Sequence, residues 1–173
     1  NQSLQPQHWL IVDDGSTDET AKIVDQAATN YPFISRHFRE KKVGETYFAS
    51  NVQAIMEGYR LLESEDFEFL AILDADIVLP PDYYRIIIDH FDANPLLGIA
   101  SGIYDNLVDG KLQKKLNDRR STPKAIQVFR KEVFDAIGGF LPLKYGGEDT
   151  ISCVMARMHG WKAWSFPDIK AVH

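Results

Sequence analysis

One cysteine, Cys153, stands among 173 residues. That excludes an internal disulfide and any metal site built from several thiolates, and it fits a reducing compartment. No apolar run reaches the roughly 18 residues expected of a membrane-spanning helix, and no signal peptide is visible. Basic residues are in deficit, 19 Lys and Arg against 25 Asp and Glu, for a formal charge of −6. A nucleic-acid binder presents a basic face, so that class is set aside. Anionic ligands remain open, because a bound divalent cation inverts the local field. Repeats, low-complexity tracts and linkers are missing too. What is present is an ordinary globular composition, 45% hydrophobic and 25% charged, long enough for one domain with its own core over residues 1–173.

Hydrophobic periodicity predicts strands alternating with helices. Residues 9–12 are an apolar run ending at an acidic turn, expected as a buried strand. Ser16 with Glu19 forms a Ser-x-x-Glu capping box, predicting a helix over 17–29 with Ala21, Ile23, Val24, Ala27 and Ala28 on its apolar face. A strand follows over 33–39, then a helix over 46–62 with Phe48, Val52, Ile55, Tyr59 and Leu62 at helical spacing. Residues 67–73 are a second buried strand, and Pro80-Pro81-Asp82 opens a helix to 91. Strands are expected over 96–104, 125–129 and 161–166, and helices over 131–137 and 148–159, closed by Gly138 and Gly160. Residues 105–121 are polar and are expected as a flexible surface loop. The alternation predicts an α/β three-layer domain with a mostly parallel sheet, in which ligands bind beyond the carboxyl ends of strands.

Three acidic turns sit at such boundaries: Asp13-Asp14-Gly15-Ser16, Asp74-Ala75-Asp76, and Glu148-Asp149 after Gly146-Gly147. The first two are expected to be neighbours in space, forming with the third one acidic cleft. Such a cleft repels a nucleotide diphosphate unless a divalent metal lies between them, which points to metal-assisted transfer from a sugar nucleotide. An oxygen-rich Asp-x-Asp pair suits Mg²⁺ or Mn²⁺, which usually holds one or two carboxylates plus substrate phosphates. Alternate residues of an extended chain point opposite ways, so one carboxylate can meet metal while the other takes a ribose hydroxyl. At Asp13 and Asp14 a carboxylate can accept a base N–H or a ribose hydroxyl. Capping explains Ser16 and Glu19 but not two consecutive aspartates on a strand end. Asp149, opening a helix, is the candidate general base for an acceptor hydroxyl. Terminal His173 offers an imidazole ligand, although spacing alone does not single it out. His8, His37, His90 and His159 show no ligand spacing, and Arg36 and Arg39 with Lys41 and Lys42 are expected as a solvated basic turn. Cys153 fits a small buried hydrophobe.

Taken in order, these residues resemble the inverting family 2 glycosyltransferases of the GT-A fold. The likeness runs from Ile11-Val12-Asp13-Asp14-Gly15-Ser16-Thr17-Asp18 through Gly44, Asn51 and Leu73-Asp74-Ala75-Asp76. It continues through Ile137-Gly138-Gly139-Phe140 and Glu148-Asp149-Thr150 to Gly160 and Val172-His173. The resemblance implies a nucleotide-diphospho-sugar donor, a saccharide or lipid-linked acceptor, and Mg²⁺ or Mn²⁺. By it, Asp14 binds the nucleoside, with Asp13 and Glu148 lining the donor pocket, and Asp74 meets the ribose. Asp76 and His173 hold the metal on the diphosphate, and Asp149 is the base. Gly138-Gly139-Phe140 is a shaping turn. The family opens on a strand and helix that the chain lacks. Asn1-Gln2-Ser3-Leu4 resembles the tail of that helix, so a fragment that swaps or forms a homodimer is expected. Bacterial surface polysaccharide or glycolipid synthesis is the expected setting, in the cytoplasm and peripheral to the inner face of the membrane in the full-length protein.

Two rivals stand beside this reading. Asp74-Ala75-Asp76-Ile77-Val78 also fits the nucleophile motif of haloacid-dehalogenase-type phosphatases, which leaves Asp13-Asp14-Gly15-Ser16 and Gly138-Gly139-Phe140 unexplained. A non-catalytic interaction module of the same fold is the other.

Overall fold

A computed structural model describes residues 2–41, 44, 46–114 and 118–173; Asn1 and Lys42, named above, lie outside the described residues. The chain divides into two compact units, one of residues 5–66 with 141–146, the other of residues 2–4, 67–140 and 147–173.

In the unit of residues 5–66, strand β1 (Trp9–Asp13) pairs in parallel with β2 (Ile34–Phe38), in register from Trp9 opposite Ile34 to Asp13 opposite Phe38. Helix α1 (Thr20–Asn30) joins them, and α2 (Tyr47–Leu62) follows, capped by the Thr46 hydroxyl on the Ala49 N–H. Gly58 lets α2 lie directly on β1, because a Cβ there would come 2.8 Å from Val12 Cγ2. The capping box expected at Ser16 does not form. The Ser16 N–H donates instead to Asp13 Oδ1 (2.8 Å), and Asp18 Oδ1 takes the Thr20 N–H and hydroxyl at 3.0 and 2.6 Å. These side-chain turns occupy the donors and delay the helix to Thr20. Nor is β1 fully buried. In a two-stranded sheet only its last residue, Asp13, is enclosed, and Trp9 is exposed.

The larger unit holds a five-stranded sheet: β3 (Phe69–Ala71), β4 (Leu97–Val108), β5 (Lys111–Lys114), β6 (Val128–Arg130) and β7 (Lys162–Val172). Strand β4 is its hub, parallel to β7 and antiparallel to β6 and β5, while β6 also pairs antiparallel with β3. So β3, β4 and β7 run one way, with β6 and short β5 against them. Three helices complete the unit: α3 (Tyr83–Ala93), α4 (Lys131–Ala136) and α5 (Glu148–Met158). The α3 stripe Tyr83, Ile87 and Phe91 packs on Leu97, Ala100, Ile126, Val128, Ile169 and Ala171, all buried. Phe129, Phe134 and Phe140 meet edge-on nearby. Residues 2–4 form bends rather than a helix tail, held to the start of α3 by Ser3 N–H on the Pro81 carbonyl (2.8 Å) and by Gln2.

Three sequence expectations change here. The polar stretch from 105 is not a loop at its start: β4 continues to Val108 and turns at Asp109 (φ 50°) and Gly110 (φ 72°) into β5. Asp-Gly at a two-residue turn matches the strands' twist, and that signal outweighs the polar composition. Residues 124–126 form a 3-10 turn before β6, which shortens the strand expected over 125–129. Strand β7 runs through Pro167 to Val172. Proline is tolerated because it sits in a bulge, where residues 166–169 face Gly102 between the Ser101–Ser165 and Ile103–Lys170 pairs.

Gly102 is required there, since a Cβ would come 2.3 Å from the Ile169 carbonyl oxygen. Its N–H donates to the Tyr83 hydroxyl (2.9 Å), which donates in turn to the Ile126 carbonyl (2.6 Å). Burial pushes the Tyr83 phenol well above its usual range, so it stays a neutral donor. Tyr83→Phe strands both backbone groups in the core and is expected to cost about 1–3 kcal/mol. Urea unfolding measures it, and an unchanged midpoint would contradict this role.

Candidate active site

Beyond the end of β3 the chain stays hydrogen-bonded, with Ile72 N–H on the Gln127 carbonyl (2.7 Å) and Asp74 N–H on the Ala125 carbonyl (3.0 Å). It then turns, Ile77 N–H reaching back to the Asp74 carbonyl (3.3 Å). Because Asp74-Ala75-Asp76 lies on this turn, its two carboxylates take different partners. Asp74 accepts from Lys124 Nζ at 3.0 and 3.3 Å. Asp76 Oδ2 lies 3.2 Å from His173 Nε2, although 97 residues separate them.

Backbone pairing fixes that meeting. Val78 and Val172 exchange two hydrogen bonds, at 2.8 and 3.0 Å, beside the turn. His173 N–H donates to the Asp105 carbonyl (3.0 Å), and its own carbonyl accepts from Leu107 N–H (2.7 Å). The ring is set edge-on against Tyr104, and Nδ1 lies 3.0 Å from Asn106 Oδ1. With the Nδ1 proton on Asn106, Nε2 turns its lone pair toward the Asp76 carboxylate, an arrangement that suits a shared cation. Both side chains are open to solvent, Asp76 at 71% and His173 at 42%. No group of three or more His, Cys, Asp or Glu side chains able to hold a metal occurs among the described residues. The donor set is one carboxylate and one imidazole, which fits Mg²⁺ or Mn²⁺ completed by substrate oxygens and water.

The third turn lies in the same unit. Gly147, in the left-handed region at φ 96°, precedes α5. Asp149 is half-buried; its Oδ1 accepts the Thr150 N–H (2.7 Å) and its Oδ2 the Lys124 N–H (3.4 Å). Glu148 points inward, 5% exposed, with Oε2 unpartnered among the described residues. Lys124 thus touches two acidic motifs, Asp74 through its ammonium and Asp149 through its main chain. Sequence gave no sign of it, since a lysine after a proline in a polar stretch has no distinguishing pattern. Cys153 is buried as expected, against the Thr122 hydroxyl (3.1 Å), and burial raises its thiol pKa. Gly138 and Gly139 close α4 through their N–H groups on Asp135 and Phe134, the structural role expected of them.

In the other unit, Asp13 is buried at the end of β1, capping Ser16 and facing Arg36 Nη1 at 3.7 Å. Asp14, its side chain 25% exposed, is bound by Arg39 Nη1 and by the Ser50 hydroxyl (2.5 Å). The solvated basic turn is therefore corrected at its arginines. Arg39 is 3% exposed, and Arg36 grips Asp25 with two bonds of 2.7 and 2.9 Å. Those bonds hold the Asp25 carboxyl below its usual range. Carboxylates facing both guanidiniums draw them out of solvent.

Solved structures place this architecture. Mannosyltransferase PcManGT from Pyrobaculum calidifontis, in complex with GDP-Man and Mn²⁺, superposes with a TM-score of 0.74 at 20% identity, over 99% of this chain and 49% of that one. GalNAc-T7 with UDP, GalNAc and Mn²⁺ gives 0.73 at 15% identity, over 96% and 37%. The fold is thus the GT-A α/β fold of glycosyltransferases. Poly-beta-1,6-N-acetyl-D-glucosamine synthase of Staphylococcus epidermidis is 31% identical over 93 residues, 54% of this chain and 20% of that protein. The synthase of Staphylococcus aureus strain COL is 26% identical over the same length. The matched stretch is a fifth of these relatives' length. The glycosyl transferase family 2 model matches residues 1–147. The chain belongs to that family, which sets aside the phosphatase reading.

The Lys124–Asp74 pair is half-buried, its side chains 14% and 33% exposed. Lys124→Met is expected to cost about 1 kcal/mol, between the values for exposed and enclosed pairs. Thermal unfolding of the variant checks this, and an unchanged midpoint would count against the pair.

Proposed function

We propose that residues 1–173 are the catalytic domain of a hexosyltransferase that moves a sugar from a nucleotide-diphospho-sugar donor to an acceptor hydroxyl, with inversion and with Mg²⁺ or Mn²⁺. The observation that carries this is the meeting of Asp76 and His173, an open two-ligand set built by backbone pairing. Asp76 and His173 would hold a divalent cation, which would supply charge neutralisation for the leaving diphosphate. Asp14 accepts hydrogen bonds from the nucleoside, while Asp13 holds that turn in shape. Asp74, oriented by Lys124, takes the ribose hydroxyls. Asp149 removes the proton of the acceptor hydroxyl as its oxygen attacks the anomeric carbon. The new C–O bond forms as the bond to the diphosphate breaks on the opposite face, so one displacement inverts the centre. Asp149 accepts a main-chain N–H on each oxygen, which fixes the direction of its carboxylate. Glu148, buried at the start of α5, is assigned to donor binding.

The relatives named as poly-N-acetylglucosamine synthases support a saccharide or lipid-linked acceptor and a setting in surface polysaccharide or glycolipid synthesis. No described helix is long and apolar enough to cross a membrane. The proposed location is cytoplasmic, peripheral to the inner face of the membrane in the full-length protein.

Asp76→Ala and His173→Ala are each expected to abolish Mn²⁺-dependent binding of the donor's nucleoside diphosphate, measured by calorimetry. Asp149→Asn is expected to leave that binding intact and lower transfer by about 10²–10⁴-fold in the full-length protein. Full transfer activity in Asp149→Asn would remove Asp149 from the role of base.

A further inference from the structure

Arg39 is held through both its main chain and its guanidinium. Its main-chain N–H donates to the Asp13 carbonyl (2.9 Å), which seats it beside the acidic turn that follows β1. Its guanidinium, 4% exposed, puts Nη1 on Asp14 Oδ1 and on the Ser50 hydroxyl (3.3 Å), and Nη2 on Gln53 Oε1 (2.8 Å). Nε lies 3.4 Å from Glu57 Oε2, and the other oxygen of Glu57 meets His37 Nε2 at 2.7 Å. Ser50, Gln53 and Glu57 share one face of α2 at i, i+3 and i+7 spacing. Ser50, itself 1% exposed, closes the set by donating to Asp14 Oδ2 at 2.5 Å.

Exposure is uneven across this network. The donors are enclosed and the acceptor is not: Asp14 keeps 25% of its side chain open while Arg39 and Ser50 keep almost none. A carboxylate left partly open beside enclosed donors keeps acceptor capacity within reach of solvent or a ligand. Among the described residues each Asp14 carboxylate oxygen accepts from one of these donors, and each has lone-pair capacity for another. An ionised carboxylate only accepts, so Asp14 is presented as a fixed acceptor for a ligand N–H or O–H.

We infer that Arg39 and Ser50 are positioning residues for nucleotide binding, acting through Asp14. The inference rests on the reading of Asp14 as the nucleoside contact. Preorganised acceptors bind more tightly because no ordering cost falls on the bound state.

Calorimetry with UDP, GDP, dTDP and CDP in Mn²⁺, on the full-length protein, tests this in a double-mutant cycle. The variants are Ser50→Ala, Arg39→Lys, Asp14→Asn and each of the first two combined with Asp14→Asn, with thermal melting alongside. Lysine keeps the charge and loses the planar fork. The expected result is a loss of affinity of about tenfold for Ser50→Ala and for Arg39→Lys, the size of one charge-assisted hydrogen bond, with cooperative melting retained. Neither change should lower affinity further once Asp14 is Asn. Equal losses in both backgrounds would overturn the inference, since the residues would then act without Asp14. So would unchanged affinity in the single variants while the wild type binds. A wild type that binds none of the four nucleotides would instead remove the nucleotide reading itself, and this inference with it.

Discussion

The reciprocal pair of hydrogen bonds between Val78 and Val172 is the constraint on which the Asp76–His173 arrangement depends. It ties the turn after β3 to the last strand and gives two side chains 97 residues apart a common location. Its support runs back through the β4–β7 ladder to a bulge that only glycine at 102 allows. Tyr83 satisfies the backbone around that bulge from α3. Core packing and site geometry are therefore one structure, and the fully buried α3 stripe holds a ladder whose far end carries His173.

The acids in question do not form an unscreened anionic patch. Asp13 faces Arg36, Asp14 holds Arg39, Asp74 holds Lys124, and Asp149 is bound by main-chain N–H groups. Fixed partners of this kind set the direction of each carboxylate and prevent its collapse onto a neighbour. Asp76 is different: its partner is an imidazole, and both are open to solvent. Under the proposed function this exposed carboxylate, with the imidazole beside it, is where a divalent cation would be held.

Much of this was legible in sequence, for identifiable reasons. Helices α2 to α5 follow apolar spacing and glycine or proline punctuation, and they appear within a few residues of their expected bounds. The acidic turns could be found because aspartates at the ends of apolar runs need a reason to be there. Local competition was harder to see. At Ser16 the side chain of Asp13 took the N–H that begins the expected capping arrangement, and at Asp109-Gly110 turn chemistry overrode polar composition. Pro167 suggested a strand end because the bulge that tolerates it depends on Gly102, more than sixty residues away. Arg39 and Lys124 were missed for the same reason: their roles come from tertiary partners with no fixed spacing. His173 gained weight only through family resemblance, and its geometry comes from pairing that no local pattern encodes.

Metal-assisted nucleotide binding is tested by titration of UDP, GDP, dTDP and CDP into the full-length protein, first with Mn²⁺ and then with EDTA. Binding of one nucleotide that needs the metal and is lost in EDTA is the predicted result. Binding that is indifferent to EDTA, or no binding of any of the four, would contradict metal-assisted transfer from a nucleotide sugar.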